Sequence, residues 1–315
     1  MRVLHGPTGE NEDRSFITAN TVSSSLQEIR KDHIIPVYVK DNEPLISHAD
    51  FIQAASDVAA DVFSGNTILK PAVRVSHPIK GRVPEAKDKP AAALLDSERT
   101  IYYERMMFTV QVPTISDVVG GNQLSLTLGG VKAYNLDNLY NKKGAEESFK
   151  VFIGFQNSVC TNLCVWTDGY SSEMKVRNLG QLHAAMFNLF RSFREDKMLN
   201  ILKSLVSYDI TEQQFAHLVG RCRMYQHLPT ALRTDVPPML FGDQQLGAIC
   251  KAYYHDRNFS GEDGAINLWK VYNLFTGANK TSYIDTFLDR SVNALGFANQ
   301  IKEELDSGIK SWYLN

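Results

Sequence analysis

Between residues 67 and about 176 the apolar residues come in short runs cut by prolines and paired glycines, whereas on both sides of that stretch they recur at helical spacing. A chain that changes period in this way cannot be all helix or all sheet. It must lay helices against strands, so the expected class is α+β: an N-terminal helix, a central antiparallel or mixed sheet and a helical C-terminal half.

The helix before the change is marked at both ends. Ser47 stands three residues ahead of Asp50, the spacing of a reciprocal cap, and Phe51, Ile52, Ala55, Val58, Ala59 and Val62 follow at helical spacing. Gly65 then stands where a left-handed residue closes a helix. Strands are predicted at 68–76, 100–112, 123–128, 149–155 and 158–166, broken by Pro78, Pro84, Pro90, Gly120-Gly121, Gly129-Gly130 and Asp168-Gly169. Val119-Gly120-Gly121-Asn122 has the composition of a hairpin turn. Residues 34–39 read as an edge strand, because Pro36 cannot donate to a ladder. Residues 1–33 are polar and are expected to form a flexible arm with a short helix around Leu26 to Arg30.

After Asn178 the helical period returns. Leu182, Met186, Leu189 and Phe193 share a stripe, and Thr211 with Gln214 three residues on opens a helix carrying Phe215, Leu218 and Cys222. Further helices are predicted at 244–254, 265–275 and 281–305. Nothing rich in Gly, Ser and Pro interrupts the chain near Asn178, so 34–315 is expected to be a single domain, sheet-rich over 34–177 and helical over 178–315.

The composition of the 315 residues, 43% hydrophobic and 22% charged with a formal net charge of -2, is that of ordinary globular protein. It excludes a binder that is basic all over, so any anion site must be local. No long apolar run and no signal-peptide core are visible, and a cytoplasmic protein without a membrane segment is expected. The cysteines, Cys160, Cys164, Cys222 and Cys250, are too few and scattered for a disulfide framework.

One local anion site stands out. Between Lys70 and Lys89 there are six Lys/Arg against two acids, and Arg74, His77, Lys80 and Arg82 are followed by Tyr102, Tyr103 and Arg105. Basic side chains neutralise phosphates and tyrosine rings stack on bases, so these seven residues are the expected single-stranded nucleic-acid groove. The plainer alternative is a solvated hairpin face. Adjacent tyrosines of one strand point to opposite faces, so at most one would join the groove.

The remaining candidates carry less. Cys160 and Cys164 read as buried structural thiols, with half a zinc site completed by His183 as the alternative. Gly6-Pro7-Thr8-Gly9 lacks the Lys and Ser/Thr of a phosphate loop, and Gly169-Tyr170-Ser171-Ser172 fails the nucleophile-elbow pattern. A binding protein without cofactors is expected rather than an enzyme.

Residues 73–82 (Val-Arg-Val-Ser-His-Pro-Ile-Lys-Gly-Arg), 102–106 (Tyr-Tyr-Glu-Arg-Met) and 154–164 (Gly-Phe-Gln-Asn-Ser-Val-Cys-Thr-Asn-Leu-Cys) resemble the family of uncharacterised proteins called domain of unknown function 3871. The resemblance covers most of the chain from about Ile34, and the Cys160 block is its most specific part. More faintly, residues 157–163 and 268–276 resemble segments of the phage/plasmid-like protein family. What these resemblances imply is a mobile-element setting, not an activity. The expected function is that of an accessory protein of a phage, plasmid or integrative element that binds single-stranded DNA in replication or recombination. The alternative is a protein-interaction or anti-defence factor with a host or phage protein as partner.

Overall fold

The computed structural model of this chain describes residues 15–32, 46–76, 78–86, 88–133, 146–256, 258–259, 264–308 and 310–315. The described part of the expected flexible arm is built into the body. Phe16 and Ile17 are buried, Val22–Ser24 forms strand β1 beside Ala72–Val75 (β2), and Leu26–Asp32 forms helix α1 as predicted. The reason is hydrophobic: Ile17 and Ile29 are fully buried, and two such side chains outweigh a short polar neighbourhood. The edge strand predicted at 34–39 lies outside the described residues.

Helix α2 (His48–Val62) is the one predicted from its ends. Ser47 Oγ accepts from Asp50 N at 3.0 Å and the Asp50 carboxylate accepts from Ser47 N at 3.4 Å, so two amides without helical partners are satisfied reciprocally. The helix then lays Phe51, Ile52, Ala55 and Val58 on the sheet.

That sheet has six strands in the order β1-β2-β5-β6-β7-β8, with β5 spanning Arg105–Val119, β6 Asn122–Ala133, β7 Glu147–Asn157 and β8 Leu163–Val176. Every pair in it is antiparallel. The strand predicted at 100–112 is two strands. The chain breaks at Glu104, so that Arg99–Tyr103 (β4) pairs with Pro78–Arg82 (β3) in a separate hairpin while β5 joins the main sheet. Two predicted breaks lie inside strands: Gly129-Gly130 is mid-β6, and Asp168-Gly169 sits in β8 where the register shifts. The segment predicted as strand 158–166 begins as a loop, and β8 starts only at Leu163.

The mid-strand glycines are explained by what lies above them. A Cβ on Gly130 would meet the Phe51 ring at 2.4 Å, and one on Gly129 would meet Phe108 O at 2.0 Å. Phe51 sits edge-on to Phe108, with centroids 5.0 Å apart, and to Phe149, at 4.8 Å. On the opposite face Met107, Val131, Phe152 and Val165 meet Ile284, Phe287 and Leu288 of α9 (Ile284–Ser307). Polar ties secure that helix: Lys150 Nζ donates to Asp285 O at 2.6 Å and to Asp289 at 2.5 Å, and Tyr170 OH donates to the same Asp289 carboxylate at 2.6 Å. With both faces covered, central strands read as near-continuous apolar runs rather than alternating ones.

The C-terminal half is helical as predicted: α3 (Leu179–Ser192), α4 (Glu195–Ser204), α5 (Glu212–Tyr225), the short α6 (Thr230–Arg233), α7 (Asp243–His255), α8 (Leu268–Asn279) and α9. Thr211 and Gln214 cap each other as expected, at 3.2 and 2.9 Å. The helix predicted at 265–275 is preceded by a strand, β10 (Ala265–Asn267), paired with β9 (Asp209–Thr211). The fold is α+β. No helix among the described residues is long and apolar enough to cross a membrane.

Because the Gly130 site has no room for a methyl group, Gly130→Ala should lower stability by about 1–3 kcal/mol in chemical denaturation. Unchanged stability would show that Phe51 does not seat on that glycine.

Candidate functional site

The residues of the basic ribbon are divided between two sheets. Arg74 and Arg105 lie in the main sheet, whereas Lys80, Arg82, Tyr102 and Tyr103 lie in the β3–β4 hairpin, whose backbone register pairs Lys80 with Ile101 and Tyr102 with Ile79. The arginines are engaged by the fold. Arg74 donates to Thr21 Oγ1 at 3.1 Å and Thr21 O at 2.7 Å, tying β2 to the approach to β1. Arg82, only 7% exposed, donates to Ala86 O at 3.2 Å and Lys89 O at 2.5 Å and so closes the loop after β3. Arg105 lies 3.8 Å from Asp285 of α9. Tyr103 is half-buried against the core, and its carbonyl accepts from His48 Nε2 at 2.7 Å. His77 lies outside the described residues.

A cleft elsewhere brings together residues that sequence analysis did not select. Its cavity measures about 520 Å³ and lies where the β5–β6 turn, the 157–162 loop, α7 and α8 meet. The turn is the predicted hairpin, with Gly120 at φ +54° and Gly121 at +80°, both in the region that the tight hairpin turn demands. A Cβ on Gly120 would also lie 2.3 Å from Trp269 Cδ1, so glycine is needed twice over. Trp269 Nε1 donates to Asn122 Oδ1 at 3.1 Å and latches the turn to α8.

Trp269, Asn273, Gly277 and Lys280 lie at three- and four-residue intervals along α8 and its C-terminal cap, on one face. That face meets the 157–162 loop. Asn162 Nδ2 donates to Asn273 O at 3.2 Å, Asn273 Nδ2 donates to Trp269 O at 2.8 Å, and Asn157 Oδ1 accepts from Val159 N at 2.9 Å and Cys160 N at 3.3 Å. These three asparagines are 2–6% exposed, line the cleft, and each commit one end of the amide. Among the described residues, Asn157 Nδ2, Asn162 Oδ1 and Asn273 Oδ1 have no hydrogen-bond partner. The network fixes which end is oxygen and which nitrogen, since a carbonyl accepts only from N–H and a backbone N–H donates only to oxygen.

Lys280 completes the wall. Its Nζ donates to Cys160 O and, at 2.9 Å, to Thr161 Oγ1, and no carboxylate pairs with it among the described residues. Burial holds its ammonium below the ordinary lysine value. Thr161 itself is at φ +56°, a conformation unusual for a β-branched residue, held by its backbone N–H to Asn157 O at 2.9 Å and by its hydroxyl to Ser15 O at 3.0 Å. The signal in the sequence was Asn273, one amide in the otherwise apolar stretch 271–275.

Cys160 is in the loop and Cys164 is buried in β8, so they do not share a strand face; His183 is on α3. Among the described residues no three His, Cys, Asp or Glu side chains converge so as to hold a metal ion, and the Cys160–Cys164–His183 trio is not assembled. Burial pushes the Cys164 thiol up to about 12 and raises Cys160 as well.

The profile of a family described as "Domain of unknown function, B. Theta Gene description" matches residues 2–314. The chain belongs to the domain of unknown function 3871 family. No curated protein and no solved structure matches this family member. The family match lends no support to the fainter likeness to the phage/plasmid-like proteins; the segments 157–163 and 268–276 are brought into contact by the Asn162–Asn273 bond.

A second hollow of about 440 Å³ lies between α5 and α7, floored by Phe215, Val219, Leu246 and Cys250 and closed at one end by the Arg223–Asp243 ion pair at 3.1 Å. Gly220 and Gly247, both inside helices, line it, and a Cβ on either would meet nothing within 4 Å. Gly220→Ala and Gly247→Ala should therefore each stabilise the protein, by up to about 1 kcal/mol, in denaturant titration; a loss would show an unseen steric demand. Thiol labelling of the native protein at pH 8 should spare Cys164 and Cys222, both raised well above their ordinary values by burial, until denaturant is added. Rapid modification of either would contradict their placement.

Proposed function

We propose that the protein binds an anionic, phosphate-bearing ligand in the Lys280 cleft and acts by binding rather than by chemistry of its own. Lys280 carries the reading. It is a partly buried ammonium on the wall of a cavity of about 520 Å³, and its two bonds go to neutral oxygens of Cys160 and Thr161. An ammonium has three N–H donors, so one is left for a ligand. Lys270 and Lys280 outweigh Asp256 among the charged residues of the described lining, and cavities of several hundred Å³ suit small molecules.

Such an anion has two sources, a free phosphate compound or the phosphate of a single-stranded nucleic acid. In the mobile-element setting that the family resemblance implies, the second would be single-stranded DNA. That reading rests better on the cleft than on the ribbon, because Arg74 and Arg82 already serve backbone carbonyls and Arg105 lies beside Asp285.

Calorimetric titration at low salt with inorganic phosphate, and separately with an unstructured single-stranded DNA oligonucleotide, distinguishes the sources. Lys280→Gln should weaken whichever binds by about tenfold or more, the cost of losing one charged hydrogen bond. Lys70→Glu with Lys80→Glu should leave binding unchanged; the reverse pattern would return the function to the ribbon. The pH dependence has a fixed sign. An anion favours the charged amine, so affinity should hold below the lowered pKa of Lys280 and fall as pH rises through it. No binding of phosphate or oligonucleotide would sink the reading and favour a protein partner.

A further inference from the structure

The hollow between α5 and α7 has a charge of the opposite sign to that of the Lys280 cleft. We infer that it binds an apolar amine, a compound with one ammonium group on an aliphatic or aryl body, the ammonium lying at Glu212 and Tyr254 and the body in the trough. The two cavities are separate sites. Helix α7 stands between them, with Ala248 and Ala252 on the cleft and Leu246, Gly247 and Cys250 on the hollow.

The two helices run antiparallel and are tied at both ends of the hollow. At one end Arg223 pairs with Asp243 at 3.1 Å, and at the other Tyr254 OH donates to Glu212 at 2.6 Å. Between the ties lies a trough about 16 Å long, from the helical rise between Glu212 and Arg223, with a volume of about 440 Å³. Its floor is apolar, with Phe215 and Leu246 buried and Val219 half-buried. Gly220 and Gly247 hold the trough open. Both lie inside helices, where alanine would be favoured, and a Cβ on either would meet nothing within 4 Å, so neither packing nor backbone conformation calls for glycine there. A concave, mostly apolar space of several hundred Å³ with a few polar groups suits a small molecule with an apolar body.

Charge selects the head group. Of the three charged side chains in the described lining, Arg223 and Asp243 neutralise each other, which leaves the carboxylate of Glu212. No Lys, Arg or His among the described residues forms an ion pair with it; its partner is the neutral hydroxyl of Tyr254. That hydrogen bond holds the Tyr254 phenol above its ordinary value, so the hydroxyl stays a donor and the negative charge stays on Glu212. A carboxylate accepts several hydrogen bonds, so acceptor capacity remains for a ligand. Aromatic rings surround that end: Phe215, one turn on from Glu212, stacks on Tyr253 with centroids 4.5 Å apart, and Tyr253 is edge-on to Tyr254 at 4.9 Å. A carboxylate beside aromatic rings favours an ammonium, through charge and through the ring faces together. An alcohol brings no charge, and a carboxylate ligand would meet Glu212 at one end and an already paired arginine at the other.

The test compares octylamine, octanol and octanoate, one chain with three heads, by calorimetric titration of the full-length protein at neutral pH. Maleimide labelling of Cys250, read by peptide mapping, is the local readout, because that thiol lines the hollow and is partly exposed. Octylamine should bind about tenfold or more tightly than octanol, the gain from one charged hydrogen bond, and octanoate more weakly than either. Saturating octylamine should slow the labelling of Cys250. Glu212→Gln keeps an oxygen to accept from Tyr254 but removes the charge, so it should bring octylamine down to the octanol affinity and leave octanol unchanged. Gly220→Leu with Gly247→Leu, which fills the trough, should abolish the binding of all three; should that variant not fold, Glu212→Gln alone decides. Equal affinity for the three heads, an amine preference that survives Glu212→Gln, or octylamine binding that leaves Cys250 labelling unchanged would overturn the assignment. Protection of Cys250 by an amphipathic Lys/Leu helical peptide but not by octylamine would overturn it in favour of a protein-docking groove.

Discussion

The seating of Phe51 on Gly130 is the contact that the rest of the structure depends on. Phe51 of α2 reaches the sheet where Gly130 of β6 carries no side chain, and the ring there is edge-on to Phe108 and Phe149 at once. Burying one such aromatic contributes roughly 1.5–3 kcal/mol, and the close approach lets Ile52, Ala55 and Val58 bury behind it. With one face closed by α2 and the other by α9, β6 and β7 are enclosed on both sides. Open space is left at the ends of strands and the loops between them.

The cleft is such a place. The Gly120–Gly121 turn must be tight to bring Asn122 to Trp269, and Trp269 in turn sets the helical face on which Asn273 and Lys280 lie. The loop 157–162 is held against that face from its own side by Asn157 and from the other by the Lys280 bonds to Cys160 and Thr161. Its strain at Thr161 is thus paid for by three separate attachments. Rigid scaffold beneath and polar groups above is the usual division between core and binding loop.

Some of this was legible before any coordinates. The Ser47–Asp50 and Thr211–Gln214 caps and the Gly120–Gly121 turn are local chemistry, and each appears where it was expected. Gly129-Gly130 misled, because a glycine pair that admits an aromatic ring from another element looks the same in one dimension as a pair that ends a strand. The break at Glu104 was invisible for a like reason: both halves have strand composition, and only the choice of partners, β3 for one and β2 with β6 for the other, separates them.

What the sequence by itself determined is the α+β class, most helix positions and the hairpin turn, because periodicity and capping act over a few residues. What only the tertiary structure decided is the role of the polar groups. Basic residues close together in sequence became internal ties, since the segment before β1, the loop after β3 and helix α9 put the carbonyls of Thr21, Ala86 and Lys89 and the carboxylate of Asp285 within their reach. Asparagines more than a hundred positions apart became one wall, since Asn162 and Asn273 meet only when the loop before β8 packs on α8. Electrostatic and hydrogen-bonding roles depend on distances in space, and those are set by the packing of elements rather than by the order of residues.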